Sequence, residues 1–162
     1  MATYQQPNPR GPGGYQGGQR QGGYSPRGDD RDDTPTISLQ GIVFGDKPAA
    51  DLFSTQAERA AEEVSRASKE MNKSSQLRRF YDELVMWQEK VGNDDSKFSD
   101  CEPYIRMLKA KAAYAKGRKH VDANFRALFD RLIDQSTSAA TLRQAKLFFE
   151  AFMAYYKIHR AQ

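Results

Sequence analysis

Residues 139–160 read AATLRQAKLFFEAFMAYYKIHR. Leu142, Ala145, Phe148, Phe149, Phe152, Met153, Tyr155 and Tyr156 fall at the three- and four-residue steps that gather side chains on one side of an α-helix, and no period-two alternation fits the segment. The apolar positions fill more than one stripe. Such a helix is either enclosed by its neighbours or shared with another subunit. The aromatic side chains are therefore read as core or interface, not as a platform on which bases stack. Ser136-Thr137-Ser138, just upstream, breaks the preceding helix and offers hydroxyls to cap this one.

Working back toward the N-terminus, the same periodicity recurs. A fourth helix carries Val121, Phe125, Leu128, Phe129, Leu132 and Ile133. A third carries Ile105, Leu108, Ala112 and Ala115; its start is placed between Ser99 and Glu102, which have capping-box spacing, with Pro103 in the first turn and Gly117 as a stop or kink. A second opens near Asn72–Ser75, buries Leu77, Phe80, Tyr81, Leu84, Trp87 and Val91, and ends at the turn Gly92-Asn93-Asp94-Asp95-Ser96. The first runs from about Ala50 to Met71 with Phe53, Ala57, Ala60, Val64, Ala67 and Met71 on its apolar side, mostly alanine and so suited to close packing. Five amphipathic helices over residues 49–162 predict an all-α compact bundle with one modest core.

Two segments precede the bundle. Residues 1–36 are dominated by Gly, Gln, Pro, Arg and Tyr and hold too little apolar area to offset the entropy of ordering, so a disordered tail is expected. Its spaced Arg and Tyr fit either an arginine–glycine-rich RNA-binding tail or a purely solubilising one. Residues 37–48 are read as a linker or a short docking segment. Within them the apolar island Ile37 to Gly45 is too short and too glycine-flanked for a helix; it either docks as an extended segment, on the bundle or on a neighbouring subunit, or forms a loose linker.

Charged residues make up 28% of the 162 and the mean hydropathy is −0.82. No apolar run approaches the roughly 18 residues of a membrane span, and residues 1–31 hold no apolar core of a secretory signal, so a cytoplasmic location is the default expectation. Cys101 is the sole cysteine, which excludes an internal disulfide and a cysteine-based zinc site. His120 and His159 lack metal-ligand spacing, Cys101 has no nearby partner for a triad, and Asp94-Asp95 reads as a solvated turn. No phosphate-cradling glycine loop is present. No cofactor, metal or catalytic residue is expected.

The net charge of +4 is unevenly spread. Residues 1–48 hold five basic and five acidic side chains, so the excess lies beyond them, and residues 104–119 contain Arg106, Lys109, Lys111, Lys116, Arg118 and Lys119 with no acid. On a helix, Arg106, Lys109 and Lys116 flank one side of the apolar stripe and Lys111 and Arg118 the other, with Tyr114 between and Gly117 leaving room for a backbone to approach. The second helix opens on Lys73, Ser74, Ser75, Gln76, Arg78 and Arg79, cations and hydroxyls around an end whose N–H groups favour an anion, with Asp82 and Glu83 one turn on. These patterns point to RNA phosphates. A protein-only adaptor whose basic stripe meets acidic partners is the main rival, and a small enzyme built on Cys101 or His120 a third.

Three runs sharpen the reading: Lys73 to Tyr81 (KSSQLRRFY), Leu108 to Lys119 (LKAKAAYAKGRK) and Phe148 to Lys157 (FFEAFMAYYK). In this order they resemble the small α-helical subunit of the type III-A CRISPR–Cas effector, the Csm complex, over about residues 50 to 160. The glycine-rich tail is outside that pattern. The resemblance implies a non-catalytic subunit in antiviral defence, stacked in several copies beside the backbone and large subunits and lining the groove where guide RNA and target RNA pair. It marks Lys73, Gln76, Arg78, Arg79, Lys109, Lys111, Lys116, Arg118 and Lys119 as RNA-contact residues, reading backbone and shape while base pairing carries the sequence.

Overall fold

The computed structural model describes residues 34–160. The tail expected to be disordered lies outside them, save for its last three residues. The order of elements is a π-helical turn, Leu52–Gln56, running into α1 (Ala57–Ser65), then α2 (Ser74–Val91), α3 (Asp95–Gly117), α4 (Ala123–Gln135) and α5 (Ala139–Arg160). No strand occurs among the described residues.

α5 is the central element. It packs on α1, α2 and α4 and on the π-helical turn, and more lightly on α3. That enclosure explains its broad apolar surface: Leu142, Ala145, Phe148, Phe149, Phe152 and Tyr156 are wholly buried. Phe149 meets Phe125 and Phe129 of α4 edge-on, with ring centroids 6.1 and 6.0 Å apart, and Phe152 continues the series to Tyr156 at 5.5 Å. Edge-on rings place a positive rim against a negative face, which adds to the burial itself. α1 presents Ala57, Ala60, Ala61 and Val64, all buried. Small side chains there let its backbone lie close to α5.

The apolar island before the bundle docks on the bundle itself. Ile42 and Phe44 are buried, and Phe44 packs against Phe148. The strap's backbone groups are satisfied by side chains: Thr36 and Ile37 N–H donate to Asn124 Oδ1 (2.7 and 3.1 Å), Phe44 N–H to Gln135, and Gly45 exchanges two bonds with Gln144. Arg131 donates to the Ile42 carbonyl at 3.0 Å. The anchored segment begins at Thr36, inside what composition assigns to the tail, because Asn124 sits where it can take both N–H groups.

Two helix limits differ from expectation. Helix one ends at Ser65, not Met71, and the chain beyond it is held from outside. Arg160 donates to the carbonyl of Ser65, the last residue of α1 (3.0 Å), and to those of Ala67 (3.0 Å), Ser68 (2.9 Å) and Met71 (2.8 Å) in the connection that follows. Helix three starts at Asp95, a turn earlier than the capping-box spacing suggested: Asp94 caps it by accepting from Ser96 and Lys97 N–H, and Asp95 caps α5 by accepting from Ala139 N–H at 2.9 Å. Pro103 therefore lies inside the helix. α2 starts at Ser74, within the expected opening Asn72–Ser75, but without a side-chain cap, because Asn72 is engaged elsewhere.

Asn72 is fully buried with φ +53°. Its N–H donates to the His120 carbonyl (2.9 Å), its amide donates to Val64 O (3.2 Å) and Asp122 Oδ1 (2.8 Å), and its Oδ1 accepts from Asp122 N–H (2.9 Å). Its carbonyl accepts from the Tyr156 hydroxyl. Burial pushes the Tyr156 phenol up to about 12, so it stays a donor at any physiological pH. Asparagine suits this position because it tolerates the left-handed region and fills three polar roles at once. Asn72→Ala is expected to lower unfolding free energy in urea by about 2–4 kcal/mol, from several buried groups left unsatisfied, while Asn93→Ala in the exposed turn shifts it by less than about 0.5 kcal/mol.

Candidate nucleic-acid interface

The α2–α3 pair brings the two basic clusters together. Asn72 meets His120, Glu83 meets Lys111 and the Trp87 ring stacks on Tyr104. These contacts fix an antiparallel register. It sets Lys73 level with Lys119 and Gln76 level with Lys116. Residues some 45 positions apart thus share one end of the bundle, next to the knot around Asn72.

Several of the expected cations already have carboxylate partners. Arg78 pairs with Asp82 at 2.8 Å, Lys109 with Asp134 at 2.7 Å, Lys111 with Glu83 at 2.6 Å, and Lys73 reaches Glu70 at 3.3 Å. Arg106 pairs with Glu102. All are solvent-exposed or nearly so, where a pair contributes little and can be exchanged, but each lowers the local positive potential. Arg79, Arg118 and Lys119 have no carboxylate partner among the described residues. Arg79 and Lys119 are exposed on α2 and just after α3. Arg118 donates to the Tyr114 hydroxyl at 3.1 Å and lies over that ring, 5.7 Å from its centroid. Gln76 and Lys116 are half-buried.

Gly117 is the last residue of α3, as expected of a stop, and the space beside it is open: a Cβ there would meet nothing within 4 Å. The residue with positive φ is Lys119, at +58°.

A feature that core periodicity passed over is the outer face of α3. Tyr104, Met107 and Tyr114 are 59%, 59% and 66% exposed, at steps of three and seven, outside the buried stripe of Ile105, Leu108, Ala112 and Ala115. Trp87, expected in the core, is half-buried between Tyr104 and Lys90, whose ammonium lies 4.9 Å from the ring centroid. The three-and-seven spacing was present in the sequence; it was masked by the cations interleaved with it.

Cys101 is a free, half-buried thiol, and no cluster of three or more metal-ligating side chains occurs among the described residues. His159 lies 3.9 Å from Glu58, and His120 serves through its backbone. No helix of the described residues is long and apolar enough to cross a membrane.

A basic end of an all-α bundle agrees with the resemblance seen in the three sequence runs. The profile of the Csm2 Type III-A family matches residues 47–162, most of the chain and all five helices. The chain belongs to the Csm2 family. It is a small subunit of a type III-A CRISPR effector complex. No curated protein and no solved structure gives a significant match. The Csm2 match begins after the strap, so Thr36 to Asp46 are docked on the family bundle without being part of the matched region.

One carboxylate beside this surface is not well satisfied. Asp130 lies 3.5 Å from Arg126, and its Oδ1 is buried with no hydrogen-bond partner. Burial pushes its carboxyl above the ordinary range, against the opposing pull of Arg126 and Lys109. The folded state therefore binds this proton more tightly than the unfolded chain, and the penalty of ionising Asp130 is relieved as pH falls through its raised pKa. Asp130→Asn is expected to raise the urea midpoint at pH 7.5, with the gain shrinking by pH 4; a gain that is constant across that window would assign the effect to packing.

Proposed function

We propose that this Csm2 subunit is a non-catalytic, RNA-contacting component of its complex, stacking in several copies and holding guide and target RNA through their phosphates. The observation that carries the reading is that Arg79, Arg118 and Lys119 on the α2–α3 pair are exposed cations without carboxylate partners among the described residues. Lys73, Gln76 and Lys116 stand at the level of the last two and complete the surface. Cations that lack an internal partner hold counterions, and RNA phosphates gain by releasing them. Arg78, Lys109 and Lys111 contribute by exchanging a carboxylate for a phosphate, at the loss of one exposed pair each. The exposed Tyr104, Met107 and Tyr114 supply an apolar strip beside the cations, suited to a neighbouring copy or to the backbone and large subunits.

A second reading, a protein-only adaptor, draws on the same ion pairs: a surface that neutralises itself can equally meet acidic neighbours. Salt dependence separates the two. For the assembled complex and a target RNA complementary to its guide, reversing Arg79, Arg118 and Lys119 to Glu is expected to weaken binding by about 1–2 kcal/mol per lost phosphate contact and to flatten the slope of log affinity against log salt. Helical circular dichroism should be unchanged, since all three side chains lie outside the core. Unchanged affinity and slope would favour the adaptor. Reversal of Lys109 and Lys111, already paired, is expected to have the smaller effect.

A further inference from the structure

A cleft of 520 Å³ lies between α2 and α5, within the span of small-molecule sites, about 300–1,000 Å³. Ser74, Arg78 and Tyr81 line it from α2, and Glu150, Met153 and Lys157 from α5. The two helices run antiparallel: the Tyr156 hydroxyl donates to the Asn72 carbonyl, and Phe149 stacks on Tyr81 with ring centroids 5.8 Å apart. Ser74 and Lys157 therefore stand at one end of the cleft and Tyr81 and Glu150 at the other, about 10 Å away along α2. The first end is cationic. Lys157 is exposed and meets no carboxylate among the described residues. Arg78, one turn further in, holds Asp82 at 2.8 Å, and its guanidinium lies over the Tyr81 ring, 5.4 Å from the centroid. Tyr81 and Met153, both half-buried, form an apolar middle. At the far end Glu150 is paired with Lys146, at 3.0 Å.

Cations, an aromatic floor and a carboxylate, in that order, match the phosphate, the base and the hydrogen-bonding edge of a nucleotide. We propose that the α2–α5 cleft binds one nucleoside monophosphate unit, guanosine before the others, either free or as an unpaired nucleotide of an RNA strand. Lys157, the Ser74 hydroxyl and Arg78 take the phosphate, with Arg78 giving up its exposed pair with Asp82. That move clears the Tyr81 ring, and the base lies on it, beside Met153, in place of the guanidinium. Tyr81 is already seated on Phe149, so the floor is set before binding. Glu150 reads the base edge, since a carboxylate only accepts. Guanine presents two adjacent donors there, the ring N–H and the amine. Cytosine and adenine present an amine beside an acceptor, and uracil a lone N–H between two carbonyls. Guanine is therefore favoured most and uracil least. Arg78 and Arg79 leave α2 about 100° apart, so the cleft is distinct from the surface of Arg79, Arg118 and Lys119. Its use by RNA rests on the RNA-contacting role proposed above; its affinity for a free nucleotide does not.

The test titrates the full chain with guanosine and uridine 5′-monophosphate by calorimetry, and with fluorescent RNA duplexes that carry one unpaired guanosine or none. The guanosine nucleotide is expected to bind about tenfold more tightly than the uridine one. Glu150→Gln is expected to remove that preference, and Lys157→Gln to weaken both nucleotides about tenfold. Both residues are exposed, so neither change disturbs the core. A Glu150-dependent preference for the free guanosine nucleotide alone assigns the cleft to free nucleotides. The same preference for the duplex with the unpaired guanosine over the fully paired one assigns it to RNA. Absence of both preferences overturns the proposal, as does nucleotide binding that neither variant alters. Reversing Arg79, Arg118 and Lys119 to Glu is expected to weaken both duplexes alike and to leave mononucleotide binding unchanged. No loss on that reversal, with the Glu150-dependent preference intact, keeps the cleft and overturns the RNA-contacting surface; loss on that reversal without any such preference overturns the cleft alone.

Discussion

Asn72 is the point on which the arrangement depends. Its side chain joins α1 to the loop before α4, its N–H joins that loop to the start of α2, and its carbonyl takes the Tyr156 hydroxyl from α5. Arg160, one turn beyond Tyr156, then gathers four carbonyls from the same α1–α2 connection. A loop of eight residues with few apolar side chains has no means of holding itself. Here its backbone polar groups are paired by the last turn of the central helix. Two loops and three helices are locked into one geometry, and the register of α2 against α3 follows from it.

That register decides the electrostatics. Basic residues on a helix surface are ordinarily distributed wherever solvent is, and their sum says little about a site. In this bundle Glu83 of α2 meets Lys111 of α3, and Asp82 meets Arg78 on its own helix. Both acids lie a little over two turns past the α2 start, whereas Arg118 and Lys119 lie just beyond the far end of α3 and meet no carboxylate among the described residues.

The strap supplies a different kind of constraint. Its N–H and C=O groups are met by carboxylate, amide and guanidinium side chains from α1, α4 and α5 rather than by a strand, and two apolar side chains seat it in the core. An extended segment bound this way gains its stability from pockets and individual hydrogen bonds, without a ladder to propagate. Fixing one end of a long polar segment costs entropy only for the anchored residues. The position from which the remainder departs is thereby set by the bundle.

Much of the fold was legible. Helix existence, the buried stripes of α2, α4 and α5 and the all-α class follow from three-to-four periodicity, because that period is a local property of the chain. The enclosure of α5 was legible as a choice between core and interface, and only its neighbours could settle it. The ends of α1 and α3 were not legible, since Arg160 and Asp94 override local capping signals with partners that the chain brings in from a distance or from one residue upstream. For the candidate surface, the sequence by itself determined which residues are cationic and that they avoid the core. Only the tertiary structure decided which of them meet an acid. Ion pairing between Lys111 and Glu83, or Lys109 and Asp134, spans more than twenty residues, and no local spacing encodes a contact between helices whose relative placement is set by burial of their opposite faces.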